Sequence, residues 1–216
     1  MRCVLVDLWP LYALTVTTPR LQLRLPREEE IAALAELAGG GVHRPGERPF
    51  MSPWTVGSPA DRARTVLRDH WQYLATWDVA EWRLGLGVFR EGTPIGLVTL
   101  HGWDFPVIRQ VSTWSWLGVA HHGQGYGTEA RAGLLTLAFD HLGATAALTG
   151  AFQDNHASLG VSRKLGYEPD GISVDARDGQ AVVSDRLRLT VERWRERPHP
   201  PATVGGLDAC RALFGL

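Results

Sequence analysis

The chain is poor in cysteine, with only Cys3 and Cys210, near opposite ends. Such a pair makes neither a disulfide framework nor a metal-ligand spacing, and a reducing cytoplasm is the expected setting. Metal patterns are missing as well. The eight histidines include no H-x-H and no H-E-x-x-H, so no metal site is expected. Neither sign of charge is in excess: the net charge is −1 and the pI about 6.7. That balance argues against nucleic acid or an anionic membrane as a partner. Long apolar runs are absent too. The opening MRCVLVDLWPLYAL is interrupted by Asp7 and Pro10, and no small-residue cleavage site follows, so neither a signal peptide nor a membrane span is expected. Repeats and low-complexity segments are also lacking. What remains is 216 residues, 44% hydrophobic and 21% charged, sufficient for one soluble domain with a sizeable core. Nine tryptophans are many for this length; most suit a core, and some would suit an aromatic-lined groove.

The most informative stretch is WSWLGVAHHGQGYGTEARAGLLTLAFDHLG, from Trp114 to Gly143. An apolar run, Trp114 to Val119, reads as a buried strand. Glycines then occupy every second position (Gly123, Gly125, Gly127), and a segment of helical period follows. Closely spaced glycines cost folding entropy, so they are kept where a backbone turns sharply or approaches a ligand. A loop of this kind opening a helix aims free N–H groups and the positive end of the helix dipole at one spot, where a phosphate would sit. No Gly-Lys-Ser/Thr follows, which excludes a P-loop. A dinucleotide fingerprint would need glycine where Thr128 stands. A glycine-rich turn without a ligand is the alternative reading.

Elsewhere the pattern alternates strands and helices. TTPRLQLRLP has leucines at 21, 23 and 25, a strand with one buried face. Glu28 to Ala38 reads as a helix stopped by Gly39-Gly40-Gly41. His43 to Ser58 is an ordered loop rich in proline and glycine, with apolar Phe50, Met51 and Trp54. Ser58 and Pro59 open a helix reaching about Thr76, with Val66, Trp71 and Leu74 near one face. Arg83–Arg90 and Pro94–His101 form a hairpin around Glu91-Gly92-Thr93. Strands are expected at 111–119, 146–152 and 182–189. Helices are expected over Thr128–Leu142 and from Asn155 to Leu165, the latter stopped by Gly166. A charged segment, Glu192–Arg197, precedes a tail that ends apolar.

Two phrases carry a family resemblance. The run from His122 resembles the pyrophosphate loop Q/R-x-x-G-x-G/A of the GNAT N-acyltransferases, with His122 in the Q/R place. GYGTEA, Gly125 to Ala130, matches the RimJ/RimL-like branch. DNHASLGVSRKLGY resembles the family's N-x-x-S-x-x-x-x-x-K-x-G-F/Y, with Asn155, Ser158, Lys164, Gly166 and Tyr167 in register. The resemblance covers roughly 17–195. It implies an α/β GNAT fold: a single mixed, twisted sheet splayed in a V and flanked by helices. The domain would span 1–197, with a strand extension at 1–16, and the tail 198–216 would pack on the domain or on a partner subunit. Whole phrases, including CRALFG, also resemble an actinobacterial subgroup suspected of using succinyl-CoA.

The resemblance implies acetyl-CoA as donor, with succinyl-CoA second, and as acceptor a small-molecule amine or a protein N-terminus. A homodimer is left open. Donor contacts would come from backbone at Leu117 and Val119, from the loop His122, Gly123, Gln124, Gly125, Tyr126, Gly127 and Thr128, and from Asn155, Ser158 and Lys164. Asn155 could equally be only an N-cap, and Lys164 only a helix-end cation. Ser158 is the candidate general acid, since the leaving thiolate needs a proton; a backbone-capping hydroxyl is its other reading. Tyr167 reads as packing. Phe50, Trp54, His101 and Trp103 would line the acceptor pocket. For a carboxylated acyl chain, Arg20, Arg83, Arg109 and His101 are candidate cations. The strand before the glycine loop holds no acid to act as base, and Asp175 and Asp178 read as turn or surface aspartates. A water relay would serve. A non-catalytic acyl-CoA-binding or sensing module is the rival from another class.

Overall fold

The computed structural model describes residues 4–216, and Cys3 lies outside the described residues. Nine strands form one sheet: β1 (Thr15–Thr17), β2 (Gln22–Arg24), β3 (Glu81–Arg90), β4 (Thr93–Trp103), β5 (Gln110–Leu117), β6 (Ala146–Phe152), β7 (Glu168–Arg177), β8 (Gln180–Thr190) and β9 (Thr203–Gly205). Their order is β7-β8-β6-β5-β4-β3-β2-β1-β9. Neighbours are antiparallel except β5 and β6, which are parallel. The helices are α1 (Val4–Leu8), α2 (Glu28–Gly40), α3 (Pro59–Ala75), α4 (Phe105–Ile108), α5 (Tyr126–Thr136), α6 (His156–Leu165) and α7 (Val191–Arg195).

Local chemistry accounts for the main boundaries. Leu21, Leu23 and Leu25 are all buried, as their period of two requires. Ser58 caps α3: its hydroxyl accepts the Asp61 N–H at 3.2 Å, and the Asp61 carboxylate accepts the Ser58 N–H at 3.1 Å. Glu91 and Gly92 both take positive φ (51° and 81°), the two-residue turn that matches the twist of a hairpin. Helices α2 and α3 pack together on one face of the sheet. The mostly apolar α5 covers the other, with Ala130, Leu134 and Leu135 fully buried. Gly85 is what lets α3 lie close to β3, since a Cβ there would sit 3.1 Å from the Tyr73 ring.

Four expectations need correction. The strand extension over 1–16 is helical across its described part: α1 is followed by a 3-10 turn at Pro10–Ala13, and only Thr15–Thr17 is strand. Pro10 presets the φ of that turn, and Leu11 and Leu14, three apart, are both fully buried. On α3 the buried face is Val66 and His70, with Trp71 58% exposed; 500° of rotation separates Trp71 from Val66, placing it on the far side. The long helix after the glycine loop ends as α-helix at Thr136 and continues as a wider π turn, in which the Leu142 N–H reaches Leu137 O at 3.0 Å. Strand β7 was not expected. It is an edge strand with a mostly exposed pattern and a bulge between Pro169 and Ile172. The 198–216 tail, expected to pack on the domain or on a partner subunit, packs on the domain, where β9 extends the sheet beside β1.

That last segment also completes a core cluster. Phe214 is fully buried and lies edge-on to Trp77 (5.4 Å) and Trp82 (4.9 Å), while the Trp77 Nε1–H donates to Leu213 O at 3.0 Å. Phe214→Ala should therefore cost about 3–5 kcal/mol in denaturant unfolding. A loss below about 1 kcal/mol would mean that the cluster closes without it.

Candidate active site

The site begins where two strands stop pairing. β5 and β6 are in register only for Gln110↔Ala146, Val111↔Ala147 and Ser112↔Leu148. The Thr149 hydroxyl still reaches Thr113 O at 3.3 Å, and beyond it the strands part. The opening belongs to a cleft of about 1390 Å³ that runs from the glycine loop to α3. Register fixes which backbone groups face it. Gly118 N–H donates to Ile95 O at 3.0 Å. By antiparallel alternation Trp116 and Trp114 then bond β4, and Ser115 and Leu117 turn their peptide groups toward the gap.

At the mouth of the gap, Gly123 and Gly125 have φ of 74° and 82°, conformations that a side chain would strain. The first helical bond of α5 is Glu129 N–H to Gly125 O at 3.1 Å. The N–H groups of Tyr126, Gly127 and Thr128 therefore have no partner in the helix, and no side chain caps this end. It is an anion site by construction. The loop is anchored from below. The buried Glu129 accepts from the Thr18 hydroxyl (2.7 Å) and from the Arg20 N–H (2.8 Å) and Nε (2.6 Å). Arg20 also donates to Gln124 O at 3.2 Å and lies over the Tyr126 ring. Burial pushes the Glu129 carboxyl up, but the Thr18 and Arg20 bonds outweigh it and hold it below the ordinary carboxylate range.

The opposite wall is α6. Asn155 Oδ1 accepts the Ser158 N–H at 3.1 Å, and its Nδ2 donates to Pro49 O at 3.0 Å. The Ser158 side chain lies on the cleft and does not serve as the cap. Above the gap runs an aromatic chain, His43–Phe50–Trp54–Trp116, with centroids 6.2, 5.1 and 5.9 Å apart.

Residues 20–168, more than half of the chain, match the acetyltransferase (GNAT) domain family. The chain belongs to this GNAT family. It is an acyl-CoA-dependent N-acyltransferase. Solved structures share its fold at low identity. RimJ of Mycobacterium smegmatis, in complex with CoA-disulfide, is 17% identical with a TM-score of 0.64, over 92% of this chain and 93% of that one. RimL, a ribosomal L7/L12 alpha-N-protein acetyltransferase in complex with coenzyme A, is 17% identical with a TM-score of 0.62, over 82% and 97%. A GNAT-family acetyltransferase from Bacillus anthracis is 14% identical with a TM-score of 0.61, over 82% and 99%.

Of the residues expected at this GNAT site, the structure brings most to the cleft. Leu117, His122, Gly123, Gly125, Tyr126, Gly127 and Thr128 line its glycine-loop end. Asn155, Ser158 and Lys164 line the α6 wall, and Phe50 and Trp54 the roof. His122 is held there by its Nε2–H donating to Leu117 O at 3.0 Å. Val119 is not on the cleft, and its N–H is taken by Gly41 O at 3.1 Å. Gln124 turns away, its side chain donating to Ala120 O at 2.9 Å. His101 and Trp103 lie beyond the far end: His101 pairs with Glu81 at 3.2 Å, and Trp103 is 66% exposed at the strand terminus. Tyr167 is buried beside Thr113. Asp175 is bonded to Ser173 on β7, and Asp178 lies at the β7–β8 turn, 3.7 Å from Arg48.

Several cleft residues were not anticipated. Asp69, His70 and Tyr73 line it from α3, Thr99 from β4 and Arg131 from α5; Arg83 on β3, expected as a candidate cation, lines it too. The sequence held a signal for the first group: positions 66, 70 and 73 share a helical face, and a face that mixes apolar and polar groups fits a cleft better than a core. Burial pushes the Asp69 carboxyl up, partly opposed by Arg68. Among the described residues no cluster of three or more His, Cys, Asp or Glu is placed to hold a metal, and no helix is long and apolar enough to cross a membrane.

Burial lowers the His70 pKa to about 4, so the ring is neutral at pH 7. The unfolded chain binds this proton near pH 6.5, the folded chain only near 4, and stability should therefore fall as pH drops through that window. The loss is at most about 3 kcal/mol. His70→Leu should flatten this part of the stability–pH curve, and an unchanged slope in urea unfolding between pH 7 and 4.5 would contradict the assignment.

Proposed function

We propose that the protein transfers an acetyl group from acetyl-CoA to the amine of a small molecule or of a protein N-terminus, by direct attack and with no covalent enzyme intermediate. The supporting observation is the run of unpaired backbone N–H groups at Ser115 and Leu117, lying between an anion-binding helix end and Ser158. Gly123 to Thr128 hold the pyrophosphate, and Lys164 adds a point charge at the adenosine end. The pantetheine arm lies in the gap, where a β5 N–H polarises the thioester carbonyl. The amine nitrogen attacks the carbonyl carbon and the C–S bond breaks. The nitrogen gives up one proton to water, Ser158 delivers one to the sulfur, and water returns a proton to the Ser158 oxygen. Asn155 holds the first turn of the helix that carries Ser158. Phe50 and Trp54 roof the acceptor, and Asp69 offers a cationic amine a carboxylate.

Acetyl-CoA is the first choice of donor because the candidate cations for a longer acid chain are largely engaged. Arg20 is bonded to Glu129, Arg83 and His101 to Glu81, and Arg109 lies over Phe105. Succinyl-CoA is second. Calorimetry with both donors should give equal affinity or tighter acetyl-CoA binding. Succinyl-CoA tighter by more than about 1.4 kcal/mol, a factor of ten, would make the carboxylated donor the substrate.

Thiol release with a panel of amines tests the activity itself, and Ser158→Ala tests its acid. Because Asn155 makes the cap, Ser158→Ala should leave the melting temperature near that of the parent. It should lower kcat roughly 10- to 1,000-fold with little change in donor affinity. Wild-type turnover in that variant removes Ser158 from the chemistry. CoA binding with no amine accepted would favour a sensing module.

A further inference from the structure

Arg131, in the second turn of α5, is only 4% exposed, yet it has no acidic partner among the described residues. Its Nη2 donates to Ser115 Oγ at 3.1 Å and its Nη1 to Ser162 Oγ at 3.1 Å, while its Nε is buried without a partner. These two hydroxyls stand on opposite walls. Ser115 belongs to β5, and Ser162 lies one turn beyond Ser158, whose carbonyl accepts from Ser162 Oγ at 3.0 Å. The guanidinium thus spans the floor of the gap and forms part of the cleft surface. The remaining groups around it are neutral: Thr113 and Tyr167 face each other at 3.4 Å, and burial raises the Tyr167 pKa. Tyr167 is the one titratable group that interacts with Arg131 electrostatically.

A buried positive charge with only small hydroxyls as neighbours is costly to the fold and favours whatever anion enters. Within the acyl-transfer reading, the donor's phosphates stay at the loop, and the part entering the gap is uncharged until the chemistry occurs. The charge then appears on sulfur. We propose that Arg131 is the cation that receives the leaving thiolate of coenzyme A. This rests on the acyltransferase reading above. As the amine–carbon bond forms and the carbon–sulfur bond breaks, the electron pair departs on sulfur beside the guanidinium. Proton delivery, with Ser158 as the donor, follows or accompanies the break, and free thiol leaves. An ion pair that exists only as the thiolate forms lowers the barrier without tightening the binding of the thioester.

The test titrates the thiol of bound coenzyme A by the ultraviolet absorbance of its thiolate, against the ligand-free protein, in wild type, Arg131→Leu and Arg131→Lys. In the wild-type complex the thiol should titrate at least about one unit below the thiol of free coenzyme A measured alongside. In Arg131→Leu it should titrate at or above that value, and Arg131→Lys should restore part of the shift. Arg131→Leu should also lower kcat with acetyl-CoA by about 100-fold, leave acetyl-CoA affinity nearly unchanged, and melt no lower than wild type, since it removes an uncompensated charge. An unshifted thiol in the wild-type complex overturns the proposal, as does undiminished turnover in Arg131→Leu. A loss confined to succinyl-CoA, with acetyl-CoA turnover intact, would overturn it by assigning Arg131 to an acyl carboxylate. Failure of every form to bind coenzyme A would instead remove the acyltransferase reading itself.

Discussion

The architecture depends on one parallel pair of strands that stops early. After three residue pairs β5 and β6 part, and the N–H groups of Ser115 and Leu117 are left without a strand partner inside a nine-stranded sheet, the Leu117 carbonyl being taken by His122. Buried peptide groups need partners, so such an interruption persists only where a ligand or water supplies them. In the proposed reading, the amides of the pantetheine arm of coenzyme A would supply them as a short substitute strand. The neighbouring elements maintain the parting. Helix α5 occupies one face and its N-terminus opens at the mouth, α6 forms the second wall, and the long antiparallel pairing of β6 with β8 keeps β6 from closing back on β5.

Charged groups of both signs line the cleft. The uncapped start of α5 opens at the glycine loop, while the α3 end carries Asp69, Tyr73, a neutral His70 and Arg83, the last paired with Glu81. The buried Glu129 adds no free negative charge at the loop, because its carboxylate is engaged by Thr18 and Arg20. That ion pair ties the turn between β1 and β2 to the first turn of α5, and so fixes the orientation of the glycine loop.

Much of this was legible in the sequence, where local chemistry alone decides the outcome. The leucines of TTPRLQLRLP, the Ser58 cap, the glycine loop, the Asn155 cap and the Gly166 stop all declare themselves within a few residues. What was not legible depends on tertiary context. Strand β7 is a solvent-facing edge whose start, Pro169 to Gly171, does not read as strand. Ile172 to Arg177 does alternate and Asp178-Gly179 marks its turn with φ of 53° and 78°, a signal the sequence reading passed over, and Ile172 and Val174 lie exposed. Trp71 misled because hydrophobicity was weighed above helical phase. His101 and Trp103 lie on a strand that does reach the cleft, but at Leu97 and Thr99, several residues earlier, and only register reveals the offset. Arg131 was invisible because an arginine in a helix reads as surface until the two walls flanking it are known.

The Asn155 side chain performs two tasks with one amide. Its oxygen caps α6, and its nitrogen holds Pro49 in the aromatic roof. The roof and the first turn of α6, which contains Ser158, therefore share one restraint, so a displacement of either is felt by the other through a single side chain.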